Sequence, residues 1–465
     1  MLKESHMSLD SFKSTSRAGK NSNRTLSAIL FFYSASYKPT IVCSAMGKTT
    51  NALLSAGDFA LTGQVYVDSL RTLHLSTAAA LGLSQQTSDS INELLVDLEK
   101  LLEGIKYIGE LTPRTKDLLV SFGERMSVRI MAGMLNKLGV PSQFFDAWTL
   151  GLRTTSSFGS ADIKDESYPN IKTTLGKFDG QIVPVVTGFI GHDSQGRVTT
   201  LGRGGSDLTA TCLGAAIGAD EIQVWKDVDG IMTTDPRLVK AAQPVHTVTY
   251  EEAAELAFFG AEVLHPIAMQ PAIRTNIPVR VKNSYNPQAQ GTAIIGDRDK
   301  SGTLVTAITA KNAVQVIDIF STGMLGQYGF LAKVFTIFEA CGVSVDVVAT
   351  SDVSLSMTLD KKQREDSSRI EQLLAKLGEI SDVVVLDDRC IISLICNLER
   401  SSEVMAIAFR VLEKIGVTVE MLSQGASKVN ISLVVKMSDK ERVIKALHAC
   451  FFEGIKTEDV ASIVN

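Results

Sequence analysis

From Thr40 to about Gly296, short apolar runs alternate with longer stretches whose apolar residues recur at helical spacing. That alternation predicts an α/β domain built on a largely parallel sheet. Four runs read as buried strands: Thr40–Cys43, Val183–Val186, Glu221–Trp225 and Val279–Val281. Each ends in a polar or glycine-containing loop, and open sheets of this kind bind ligands beyond the carboxyl ends of their strands. The loops after these four strands are therefore where chemistry is expected.

Further along, the pattern becomes an internal repeat. Thr336–Asp346 parallels Arg410–Glu420, with both glutamates (Glu339, Glu413) and both glycines (Gly342, Gly416) at one offset. Each unit reads as a strand, a helix ended by glycine, and an alternating strand. Val353–Leu359 and Val429–Val435 supply the next strand of each unit. This is a βαββαβ, ferredoxin-like arrangement. Two such units after an α/β domain suggest regulation more than catalysis.

Composition narrows the classes. The 465 residues exceed one compact core, so two or three domains are expected. A net charge of -5 speaks against nucleic-acid or membrane-surface binding, which needs a concentrated basic face. No uninterrupted apolar run is long enough to span a bilayer. Six scattered cysteines without a CxxC pair read as small buried hydrophobes. Six histidines without a cluster predict no dedicated metal site. Met1–Arg24 is rich in Ser, Lys, Arg and Asn and poor in acids, which suits a transit peptide or a variable tail, and Leu26–Phe32 reads as a short helix.

The strongest chemical signal is Thr199–Asp207, where Gly202, Gly204 and Gly205 accompany Arg203, Ser206 and Asp207 ahead of a helix. Glycines let the backbone approach an anion, and the helix start supplies free N–H groups and a positive dipole end. Arg203 adds a cation, Ser206 a hydroxyl, and Asp207 is placed to N-cap the helix. Next come Lys226, Asp227 and Asp229, then Asp235 and Arg237, whose alternating charges suit ribose, phosphates and magnesium, although Asp229-Gly230 and Asp235-Pro236 equally suit solvated turns. Lys282 leaves the strand Val279–Val281 toward the same place. Gly47-Lys48-Thr49 is not a P-loop, because Val42 stands where its first glycine belongs. The sequon Asn430-Ile431-Ser432 falls in an expected strand, and His265-Pro266 reads as structural.

Ser44–Asn51, Ser121-Phe122-Gly123-Glu124, the 199–207 loop, 225–236 and Val281-Lys282-Asn283 resemble, in order, the motifs of aspartokinases. Val347–Ser351 and Gln424–Ser427 match the ACT half of that family. The resemblance runs from about Arg24 to about Glu453 and is nearest the monofunctional, lysine-sensitive plant enzymes. It implies an amino-acid-kinase sandwich with a largely parallel central sheet, followed by two ferredoxin-like ACT domains. The implied layout is a transit-like segment 1–24, a catalytic domain 25–298, a first ACT domain 314–386, and a second from 299–313 and 387–465.

The activity implied is ATP-dependent phosphorylation of the β-carboxylate of L-aspartate, with Mg2+, in the chloroplast or otherwise the cytoplasm. Ser44, Thr50, Glu124, Arg203 and Ser206 fall at substrate positions; Asp207, Lys282 and Arg203 are the implied catalytic groups. Gly204, Gly205, Lys226, Asp227, Asp229, Asp235, Arg237 and Lys282 would surround ATP. For the effector, L-lysine with S-adenosylmethionine as a co-inhibitor in some plant forms, the positions are Met324, Gly329, Phe330, Leu331, Asp346, Ser351 and Asp352. A homodimer through the ACT domains, without nucleic acid or membrane, completes the implication.

Two departures stand out. The family opens its first strand with Lys-Phe-Gly-Gly, whereas Phe12-Lys13-Ser14-Thr15-Ser16 occupies that place here, and the stretch from about Phe59 to Leu75 looks shortened. The first departure supports a second reading, a catalytically impaired homologue acting as a lysine-binding regulatory subunit.

Overall fold

In the computed structural model the described residues are 5–9, 37–178, 180–261, 264–320, 328–351, 353–360, 367–425 and 427–464. They form two compact units. The first takes residues up to Ile231, then His246–Tyr250 and Val263–Arg298; the second takes Met232–Val245, Glu251–Glu262 and Asp299 onward. Two stretches inside the expected catalytic segment, 232–245 and 251–262, thus belong with the ACT sheet.

The first unit is built on an eight-stranded sheet, with strands β1 (Ser5–Leu9), β2 (Thr40–Cys43), β3 (Ser142–Phe145), β4 (Val183–Thr187), β7 (Glu221–Lys226), β8 (Thr247–Thr249), β9 (Val279–Asn283) and β10 (Thr292–Ile295). A separate short pair, β5 (Ile190–His192) and β6 (Val198–Thr200), is antiparallel. The sheet order is β3-β4-β2-β1-β7-β9-β10-β8. All its pairings are parallel except β9 with β10. The four strands expected from the sequence are present, and β2 and β4 are buried along their whole length.

One expectation is corrected here. The first-strand position is filled, by Ser5–Leu9, which lies between β2 and β7 and pairs in parallel with both. The transit-like segment 1–24 therefore contributes a strand to the middle of the sheet. Phe12–Ser16 and Leu26–Phe32 lie outside the described residues.

Four helices follow β2: α1 (Thr49–Leu61), α2 (Asp68–Ala80), α3 (Gln85–Ile108) and α4 (Pro113–Lys137); a fifth, α5 (Ser167–Leu175), comes after β3. Their limits follow from local chemistry. Ser84 caps α3 by accepting from the Thr87 N–H, and Gly109 ends it in the left-handed conformation. Thr112 caps α4 with Pro113 at its first turn. Helix α4 is apolar on two sides. Leu119, Phe122, Met126 and Ile130 join a core with α1–α3, while Val128, Met131, Met134 and Leu135 pack with strand residues Ile41, Cys43 and Val185. Across the stretch that looks shortened, α1 and α2 are regular and bury Ala60, Leu70 and His74.

The second unit is a six-stranded antiparallel sheet with β11 (Val305–Phe320), β12 (Val348–Thr350), β13 (Ser354–Leu359), β14 (Asp382–Cys396), β15 (Met421–Gln424) and β16 (Asn430–Lys436). Its order is β12-β13-β11-β14-β16-β15. Strands β11 and β14 are long enough to serve both repeats. Gln315–Phe320 pairs with β13 and Val314–Phe320 with 382–389, whereas Val305–Lys311 pairs with 391–396. Between these halves the register shifts, and Ala313 takes a φ of 54°. Each repeat has its own core, one around Val334, Phe338 and Leu373, the other around Val404, Val411 and Leu447. Val239 enters the second of these and Phe259 packs with Val316 and Ile391, which ties 232–245 and 251–262 to this sheet.

All six cysteines are free, five of them buried, and the sequon Asn430 lies inside β16. No helix among the described residues is long and apolar enough to cross a membrane.

Leu98 is fully buried in the helical core, so Leu98→Ala is expected to cost about 2–5 kcal/mol. A calorimetric scan should show a lowered transition for the first unit.

Candidate active site and effector site

Loops leave the carboxyl ends of β2, β4, β7 and β9 on one edge of the parallel sheet. After β2, the chain turns into α1 through Ser44–Lys48. Glu124, buried on α4, accepts the Ala45 N–H at 3.2 Å and so fixes this turn from below. The neighbouring Gly123 permits that approach, since a Cβ there would lie 2.9 Å from the Ala45 Cβ. Thr50 stands half-buried in the first turn of α1. His74, fully buried, has Nε2 3.5 Å from Thr49 Oγ1 and donates from Nδ1 to the Leu70 carbonyl at 2.8 Å. Burial holds its pKa below the usual imidazole value.

The glycine loop joins β6 to α6 (Gly205–Ile217). Its N-cap is Gly204, with φ 70°, where a Cβ would meet the His265 Cβ at 2.7 Å. This corrects the expectation for Asp207. It lies inside the first turn rather than at the cap, where its charge still favours the positive helix end. His265 has the structural role expected, capping α8 (Pro266–Thr275).

Ser206 and Ser44, distant in sequence, meet here: the Ser206 hydroxyl donates to Ser44 Oγ at 3.0 Å. Asp207 is buried, and the Lys226 ammonium lies 3.6 Å from its carboxylate. Arg203 is exposed at the loop tip. After β7, Asp227 is exposed, while Asp229 accepts from Asn283 at 2.8 Å and Asn286 at 3.2 Å. Lys282 pairs in register with Trp225, and its ammonium sits 5.2 Å from the center of that indole. Burial, with Arg280 nearby, lowers its pKa. Ser44, Glu124, Ser206, Asp207, Lys226, Asp229 and Lys282 thus come from five segments to one edge.

Asp235 and Arg237 differ. Both belong to the second unit, and Arg237 forks back onto Asp235 at 2.8–3.1 Å within one exposed turn. The Arg237 guanidinium holds the Asp235 carboxyl below its usual pKa. Within that turn the two charges answer each other.

Sequence reading missed Asp117. This buried acid near the start of α4 accepts the Gly159 N–H, the Thr200 N–H and the Thr200 hydroxyl, each at 2.9 Å. Burial pushes its carboxyl up while those three bonds pull it down; burial prevails. It anchors the strand that feeds the glycine loop, and no sequence signal marked it. A cavity of about 260 Å³ lined by Lys38, Thr40, Lys172 and Phe178 lies at the opposite, amino-terminal ends of β2 and β4, away from these groups.

In the second unit Gly329, φ 83°, caps α9 (Phe330–Ala340). Phe330 is buried and Leu331 exposed. Ser351 shares a hydroxyl contact with Ser354 at 2.7 Å. Asp346 is held by Lys311 at 2.7 Å. Met324 and Asp352 lie outside the described residues.

Comparison with known proteins decides the family. The model of the amino acid kinase family matches residues 12–283, and that of an ACT domain matches 392–451. The chain is 51% identical over 438 residues to "Aspartokinase 3, chloroplastic" of Arabidopsis thaliana, covering 91% of this chain and 78% of that one. The chain belongs to the aspartokinase family. It is also 34% identical to the lysine-sensitive aspartokinase 3 of Escherichia coli over 89% of its length and 92% of the relative's. The solved E. coli aspartokinase III, in complex with aspartate and ADP, superposes with a TM-score of 0.79 at 31% identity over 97% of this chain and all of the other. The lysine and aspartate complex of the same enzyme gives 0.78, covering 97% and 99%. The amino-acid-kinase fold with ACT domains read from the sequence is thus the fold of this family.

Removing the Asp117 carboxylate leaves the buried Thr200 N–H unpaired, at about 1–3 kcal/mol, and releases the exposed Gly159 N–H to water. Asp117→Ala is expected to speed amide hydrogen exchange at Gly159 and Thr200 by about ten-fold or more, measured by mass spectrometry against the unchanged β2 strand.

Proposed function

We propose that this chain transfers the γ-phosphate of ATP to the β-carboxylate of L-aspartate, giving 4-phospho-L-aspartate for lysine, threonine and methionine synthesis. The observation that carries the reading is the gathering of Ser44, Glu124, Ser206, Asp207 and Lys226 at one strand edge, in a member of the aspartokinase family.

The nucleophile, already ionised at neutral pH, needs no general base, so the chain's task is alignment and charge neutralisation. Arg203 supplies a fork for a substrate carboxylate, and Glu124 an acceptor for the substrate ammonium. The start of α6 offers N–H groups to the transferring phosphoryl. Asp207 orients Lys226, and Lys282, partly stripped of water, adds positive charge where negative charge develops. Magnesium, carried on the nucleotide phosphates, needs only one or two protein carboxylates, which Asp227 and Asp229 fit; it would supply further charge neutralisation. Asp235 and Arg237 are proposed to contribute to nucleotide binding only after their mutual fork opens.

L-Lysine is the proposed feedback effector, received around Gly329–Leu331, Asp346 and Ser351, with S-adenosylmethionine as co-effector. A homodimer through the ACT domains and a chloroplast location complete the proposal. Both follow the family, whose Arabidopsis members are named chloroplastic. Ser5–Leu9 supplies a strand at the first-strand place, though not the lysine and glycines of the motif whose absence carries the regulatory-subunit reading.

The test is trapping of the acyl phosphate by hydroxylamine with purified chain, ATP, magnesium and aspartate. Aspartyl hydroxamate is expected. Arg203→Lys, which loses the two-pronged contact, should lower kcat/KM for aspartate about 10–100-fold, chiefly through KM. No hydroxamate, with lysine binding still seen by calorimetry, would replace this reading with that of a regulatory subunit.

A further inference from the structure

Lys311 closes the first half of β11, directly ahead of the register shift at Ala313. Its ammonium lies 2.7 Å from Asp346 and 3.2 Å from Asp360, and its side chain is only 13% exposed. Two carboxylates share one ammonium. The same ammonium stands 4.7 Å from the ring center of Phe258. Phe258 ends helix α7 (Tyr250–Phe258), whose negative end also favours a cation there.

That helix is fastened along its length. Glu252 accepts from Thr306 at 2.9 Å, and Glu255 from Asn430 at 3.0 Å. The Phe259 carbonyl accepts from Thr309 at 3.0 Å, and Gly260 leaves no room for a Cβ beside the Ala310 carbonyl, at 2.8 Å. Its first residue belongs to the other unit, where the Tyr250 hydroxyl donates to the Ile277 carbonyl.

We infer that Lys311 is an internal competitor for the effector ammonium at Asp346, and the residue through which effector binding acts on helix α7. This rests on the reading of Asp346 as part of the effector site. An arriving ammonium meets a carboxylate oxygen that Lys311 already holds. The two cations repel, and Lys311 shifts toward Asp360 and away from the Phe258 ring. Lys311 is therefore a positioning residue, not a catalytic one.

The experiment compares lysine dissociation constants from calorimetry with inhibition curves on the full chain. Lys311→Met should leave uninhibited activity unchanged, bind lysine about five-fold tighter, and lose at least half of the maximal inhibition. Lys311→Arg should restore coupling. Asp346→Asn should lose lysine binding. If Asp346→Asn binds lysine as the wild type does, both the effector site and this inference fall. If it loses binding while Lys311→Met is bound and inhibited as the wild type, only the inference falls. Should Lys311→Met not fold, Phe258→Leu keeps the ion cluster; inhibition uncoupled at unchanged affinity supports the inference, and inhibition of wild-type strength overturns it.

Discussion

Helix α4 is the element on which the catalytic edge depends. It is buried against the sheet on one side and against three helices on the other, so it has almost no freedom to shift. Two acids project from it at buried positions. Glu124 fixes the turn after β2 through the Ala45 N–H, and Asp117 fixes the end of β6 through Thr200. Loops separated by some hundred and fifty residues of chain are thereby referred to one rigid rod. Preorganisation of this kind is what a phosphoryl-transfer site needs, because its chemistry is mostly placement of charge.

How far the sequence speaks depends on how unusual its residues are locally. Glycines clustered with Arg203, Ser206 and Asp207 stand out because few other settings call for that mixture. The buried strands were legible for the same reason, as short β-branched runs ending in loops. Asp117 was invisible: an acid near the start of a helix normally reads as solvated, and its three partners come from segments 42 and 83 residues away. The capping role expected of Asp207 went to Gly204 because the left-handed turn and the closeness of His265 leave no space for a side chain.

Long-range partnership also hides the allegiance of 232–245 and 251–262. Their sequence continues the α/β pattern, yet their apolar residues Val239 and Phe259 are buried in the ACT cores. Nothing local distinguishes a segment that packs with its neighbours from one that crosses to another sheet. The same holds for Ser5–Leu9, whose mixed polar composition gives no strand signal and whose place is defined by its two parallel partners. Asp235 and Arg237 also pair with each other within one turn, a contact that their spacing of two residues permits.

Strand β11 has a consequence for how the chain reaches its native state. Its first half closes the second repeat, although the whole first repeat is synthesised between it and its partner at 391–396. Val305–Lys311 therefore waits without its partner strand until 391–396 has been synthesised. Non-local closure of this sort slows folding and exposes pairing edges meanwhile. It also welds the two repeats into one cooperative body, so that neither can be excised, duplicated or exchanged during evolution without unmaking the other.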